Sequence, residues 1–264
     1  MPSLLRPDCV GRFSGWLAAL CLALPTLAVA APQAGPLSAA QQVVVVIAPS
    51  WDAPQARLQA FERVDGHWQP QAESFDVALG RSGSAWGQGL HPAQPDGLQK
   101  REGDGRSPAG VFRIGDAFGY AHHARTGLNY QAMQRTSYCI DVPASPLYNR
   151  IVDADTVGTT AVEGSTEPMR LDLHNKGDIR YREGFVIEHN AQNVSGAGSC
   201  IFAHLRRSAG EATAGCTAME PENMERLLAW LDSRKQPMFV LLPEGEYARL
   251  QAAWALPVLA EVRP

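Results

Sequence analysis

His204 and Cys216 stand twelve positions apart in the stretch "HLRRSAGEATAGCTAM", residues 204 to 219. A cysteine attacks carbonyl carbon as its thiolate, so it needs a base close by and a path for the substrate. His204 supplies an imidazole of the right kind. The turn Thr213-Ala214-Gly215-Cys216 consists of small or short side chains, and Gly215 can adopt angles that bring successive N–H groups onto one bound oxygen. Such a turn offers an oxyanion hole from Gly215 and Ala214, where one donor is worth about 3 kcal/mol in the transition state. Residue types alone leave two readings of Cys216 open: a nucleophile with His204 as its base, or a small buried hydrophobe beside an unrelated imidazole.

Positioning falls to the flanking elements. In "CIFAHLRR" strand alternation sends Cys200, Phe202 and His204 to one face and Ile201, Ala203 and Leu205 to the other. Further strands are expected in "QQVVVVIAP", "ARLQAFERV", "SFDVALG", "AGVFRI", "TSYCIDV", "GFVIEHN" and "PMFVLLP", with a hairpin turn at "DGHW". Residues 81 to 109, rich in Gly, Pro and charge, read as a long surface excursion. "EPENMERLLAWLD" places Met224, Leu227, Leu228 and Leu231 on one helical face behind Pro221, and "PEGEYARLQAAW" is a second helix. Residues 143 to 178 are irregular. The sum is a mainly β domain with a few helices.

Residues 1–30 carry Arg6 and Arg12, an apolar run from Trp16 to Leu24 and a small-residue end at Ala28-Val29-Ala30, the order of a secretory signal peptide. The run is short for a membrane span and has no counterpart later, so no membrane-spanning segment is expected after cleavage. Residues 31–40 read as a flexible linker and 41–264 as a single domain. Without the signal the chain holds 21 basic and 26 acidic residues, which argues against a nucleic-acid partner. Three cysteines remain, and in an oxidising compartment Cys139 and Cys200 are candidates for a bridge that leaves Cys216 free. His189 and Thr213 are candidate substrate-lining residues, and Tyr148, Asn149 and Arg150 could cap the same cleft. The tryptophans at 51, 68, 86 and 254 are too scattered for a sugar platform. Zinc held by His189, His204 and Cys216 fits no short metal motif, so no metal is expected.

"KREGDGRSPAGVFRIGDAFGY", "CIFAHLRR" and "TAGCTAM" together resemble the L,D-transpeptidase catalytic-domain (YkuD-like) family of bacterial cell-wall enzymes. Ser107-Pro108-Ala109-Gly110-Val111-Phe112 is similar to the family's Thr-Pro-x-Gly-x-Phe-like stretch, and the histidine at a strand end matches His204. The family's histidine before Gly-Cys is Ala214 here, and Thr217-Ala218-Met219 replaces a polar or basic follower. The resemblance implies a β-sandwich or sheet packed with C-terminal helices. It also implies an exported, periplasmic or cell-envelope peptidyltransferase that acts on peptidoglycan stem peptides through a Cys216 acyl-enzyme, without a cofactor. An L,D-carboxypeptidase or endopeptidase that uses water, or a non-catalytic peptidoglycan-binding envelope protein, is the alternative.

Overall fold

The computed structural model describes residues 35–259; the expected signal peptide lies outside them. Among the described residues no helix is long and apolar enough to cross a membrane. Leu37 and Ala40 are fully buried in the main core, so the C-terminal part of the expected linker belongs to the folded body.

The first half of the chain forms β1 (Gln42–Ala48), β2 (Gln55–Val64), β3 (His67–Pro70), β4 (Phe75–Ala78), β5 (Ser84–Trp86) and β6 (Ser107–Gly119). Asp65 and Gly66, both at positive φ, make the two-residue turn that pairs Val64 with His67. The return arm of this hairpin is the short β3, with β4 continuing alongside the other half of β2. β7 (Tyr130–Ala132), β8 (Ser137–Cys139), β9 (Ile151–Asp153) and β10 (Glu167–Pro168) follow, then β11 (Glu183–Ile187), β12 (Phe202–Leu205), β13 (Thr217–Met219) and β14 (Met238–Pro243).

The main sheet runs β1-β14-β6-β11-β12-β13-β4-β2, and β2 pairs again with β1, so the sheet closes on itself. A small second sheet, β10-β8-β9, joins β8, from the strand expected in "TSYCIDV", to two strands from the region expected to be irregular, which also holds the short helices α1 (Ala154–Val157) and α2 (Leu171–His174). β9 and β10 are three and two residues long, too short to leave a period in the sequence.

Helix α3 (Pro221–Trp230) starts with Pro at its first turn and buries Met224, Leu227 and Leu228 against β11 and β12. Helix α4 (Glu244–Trp254) has two acidic residues in its first turn and packs on β14 and β1. The excursion from 81 to 109 is less superficial than its composition suggests. Trp86, His91 and Lys100 in it are buried, and the rings of Trp51, Trp86, His91 and Trp254 form a contiguous cluster at 5.1–6.4 Å. Gly110 makes room for it: at φ +136, a Cβ there would sit 2.0 Å from His91 Cε1.

Two apolar clusters flank β12. Ile201, Ala203 and Leu205 join the main core, while Cys200 and Phe202 join a second cluster with Phe118, Met133, Met169, Tyr181 and Cys216. Cys139 of β8 is bridged to Cys200 across 61 positions of chain, which fastens the small sheet over this second cluster. Closing a loop of that length removes about 4 kcal/mol of unfolded-state freedom. Replacing both cysteines by serine should therefore cost about 4 kcal/mol in denaturant unfolding, and a loss under 1 kcal/mol would show that the small sheet docks without its crosslink.

Candidate active site

The site is made by the parallel pairing of β12 with β13, in which Ala203 faces Thr217 and His204 faces Ala218. Cys216 precedes β13 by one residue and lies in the cluster that holds Phe202, so Cys216 and His204 occupy the same face as diagonal neighbours. Strand spacing puts such neighbours roughly 8 Å apart at Cβ, within reach of a thiol and an imidazole. No hydrogen bond joins them here. The Phe202 N–H donates to Cys216 Sγ at 3.4 Å, and the thiol donates to the Cys200 carbonyl at 3.5 Å.

His204 is buried beneath the ring of Tyr181, edge-on at 5.3 Å. Its Nδ1 lies 2.8 Å from the Leu205 carbonyl. A carbonyl can only accept, so Nδ1 carries the hydrogen and Nε2 keeps its lone pair as the basic position.

The turn before the cysteine is stitched from both sides. Thr213 Oγ1 donates to the Cys216 carbonyl at 2.7 Å and accepts from the Gly215 N–H at 3.1 Å, and the Thr213 backbone bonds to Leu79 and Arg81. Ser107, fully buried, donates to the same Cys216 carbonyl at 3.2 Å and accepts from the Gly80 N–H. A Cβ at Gly215 would stand 3.0 Å from the Arg106 carbonyl, which accounts for the glycine at that position. The expected oxyanion hole changes accordingly. The Gly215 N–H is committed to Thr213, whereas those of Ala214 and Cys216 donate to no acceptor among the described residues. Thr213 is a staple of the turn.

His189 is also held by backbone. Its Nδ1 accepts from the Gln88 N–H at 3.2 Å, and its Nε2 bonds to the Ala197 carbonyl at 2.9 Å. It forms part of the wall of a cavity of about 440 Å³ between β11 and the small sheet, with Ile151, Val186, Phe202 and Glu188. Neither Cys216 nor His204 is part of this wall, but Phe202, whose N–H donates to the sulfur, is. Tyr148 and Asn149, expected as a cap, instead brace this wall: Tyr148 is buried and bonds to Glu102, and Asn149 accepts from the Cys200 N–H while donating to the carbonyls of His189 and Asn190. Among the described residues no cluster of His, Cys, Asp and Glu could hold a metal ion.

Ser107 was visible only as part of its motif. Tyr181 and Glu167, whose side chains hydrogen-bond to each other beside the pair, carry no signal in the sequence.

Burial pushes the Cys216 thiol up to about 12, and the charge of Glu167 acts in the same direction. Burial pulls His204 down to about 4, against the Leu205 carbonyl, which favours the protonated ring. Both groups are therefore neutral at pH 7, and burial opposes moving the proton from sulfur to imidazole in the empty site. Because the raised thiol value leaves thiolate scarce, alkylation of Cys216 by iodoacetamide should climb about tenfold per pH unit from 7 to beyond 10. A plateau between pH 5 and 8 would instead reveal a preformed thiolate–imidazolium pair.

The sequence pattern of the L,D-transpeptidase catalytic domain (YkuD) matches residues 52–240. A search of the curated proteins finds no match. Among solved structures, the helical cell shape determining protein Pgp2 from Campylobacter jejuni is similar at 14% identity with a TM-score of 0.34, over 77% of this chain and 48% of that one. The chain thus spans about half the length of that protein. With well over half of its residues inside the match, closing on β14, the chain belongs to the L,D-transpeptidase catalytic-domain family.

Proposed function

We propose that the chain is an exported cysteine peptidyltransferase that acts on peptidoglycan stem peptides, with Cys216 as nucleophile and His204 as general base. The observation that carries this reading is the placement of an unpaired thiol and an imidazole with a free Nε2 on one face of two adjacent parallel strands. Family membership supplies the substrate class. Export is supported by the family's site of action and by the signal-like start of the chain.

In this mechanism Sγ attacks the carbonyl between the L-centre of a diamino acid and D-alanine. His204 Nε2 takes the thiol proton as the C–S bond forms and returns it to the departing D-alanine amine. The developing oxyanion is received by the N–H groups of Ala214 and Cys216. The cavity walled by Ile151, Val186 and Phe202 holds the stem. A second amine then attacks the thioester, passing its proton to His204, and a new amide leaves Cys216 as the thiol. Water in place of that amine gives the carboxypeptidase outcome.

Incubation with a tetrapeptide stem should add one acyl group at Cys216, detectable by mass. Cys216→Ala should abolish both adduct and products while leaving the unfolding midpoint intact, and His204→Ala should slow acylation by about 10²–10⁴. Product formation by the Cys216→Ala protein would refute the proposal, and absence of any adduct with the intact protein would favour a binding role.

A further inference from the structure

Glu167 stands opposite Cys139 in the β8–β10 register, so the Cys139–Cys200 bridge ties its strand to the start of β12. Tyr181 donates its hydroxyl hydrogen to Glu167 Oε1, and the same ring lies edge-on to His204 at 5.3 Å and to Phe202 at 5.6 Å. Phe202 in turn bonds to the sulfur through its N–H. The carboxyl is thus one aromatic ring away from both members of the pair. Its other oxygen, Oε2, receives no hydrogen bond from a described residue, and the residue is partly exposed.

The charges around Glu167 are mixed. Asp141 and Asp178 oppose its ionisation and Arg180 favours it, but Arg180 is already paired with Asp178 at 2.8 Å. Burial raises the carboxyl to about 7, against the Tyr181 hydrogen bond. It therefore ionises where aliphatic amines are still cationic, and once ionised it helps to hold the proton on Cys216.

We propose that Glu167 is the residue by which this site reads positive charge on its substrate: Oε2 pairs with an ammonium group of an amine-bearing peptide beside the Cys216 and His204 pair. This assignment rests on the peptidyltransferase reading for the identity of the peptide, whereas the link from Glu167 to the sulfur does not. Either the donor stem or the incoming amine can bring the ammonium.

The test compares a cationic thiol reagent, 2-aminoethyl methanethiosulfonate, with a neutral one, methyl methanethiosulfonate, counting adducts on the Cys216 peptide by mass spectrometry. Relative to free cysteine, the intact protein should prefer the cationic reagent by about tenfold at pH 8, one unit of thiol pKa, and the preference should fade below pH 7 as Glu167 takes up its proton. Glu167→Gln should lose the preference and react faster with the neutral reagent, and Glu167→Asp should retain part of it. A role limited to packing would change the unfolding midpoint and leave the reagent ratio alone. A ratio equal to that of free cysteine, or one unchanged in the Gln variant, overturns the proposal, even if stem peptides are turned over normally. Conversely, a charge preference without stem turnover supports Glu167 and removes only the peptidoglycan substrate. Acylation by a stem whose side-chain amine is acetylated then separates the sources. Slowed acylation assigns Glu167 to the donor stem; normal acylation with slowed thioester resolution by a free amine assigns it to the acceptor.

Discussion

The parallel pairing of β12 and β13 places His204 and Cys216 on one face, and it is an unusual joint. Parallel neighbours are generally linked by a crossover of a dozen or more residues, most often a helix. Here residues 206 to 216 make the return without one. The short route is possible because the loop is caught on the far side of β13, where Thr213 bonds to Leu79 and Arg81 just beyond β4, and because Ser107 grips the Cys216 carbonyl from β6. Three separate parts of the chain thus converge on four residues. The glycine at 215 follows from that crowding, since even one added carbon there meets the Arg106 carbonyl at 3.0 Å.

The second constraint is the lid of short strands over this face. A sheet of two- and three-residue strands has little stability of its own, and the Cys139–Cys200 bridge supplies what its hydrogen bonds cannot. By covering the Phe202 side of β12 it lowers the local dielectric, and both the raised thiol and the depressed imidazole follow from that burial. The covering that encloses the pair also delivers Glu167 to it, so the shape of the site and its charge come from one element.

What could be read beforehand divides along the range of the forces involved. Alternation in residues 200 to 205 is a local pattern, and it correctly separated Phe202 from Ile201, Ala203 and Leu205, which now lie in different clusters. The terminal helices were legible for the same reason. Residues 81 to 109 misled because glycine, proline and charge mark a surface loop by composition. Yet Trp86 and His91 there are core residues, and the three tryptophans that cluster with His91 are separated by up to two hundred positions of chain. Glu167 and Tyr181 were invisible because nothing local distinguishes them, and only the docking of the small sheet gives them neighbours. At Thr217-Ala218-Met219, where the family pattern changes, the residues form a buried strand. That is a packing reason for their small and apolar character.

The neutral state of the pair limits the order of events in the proposed reaction. Transfer of the proton to His204 in the empty, buried site creates two charges that burial disfavours before any bond to carbon has formed. The proton must therefore leave sulfur as the carbonyl is attacked, when negative charge passes on to oxygen instead of remaining as a bare thiolate. Burial that penalises the thiolate strengthens the buried N–H of Cys216 as a receiver of that oxygen in the proposed reaction. A low dielectric thus hinders one sequence, ionisation followed by attack, and assists the other, attack with concerted proton transfer.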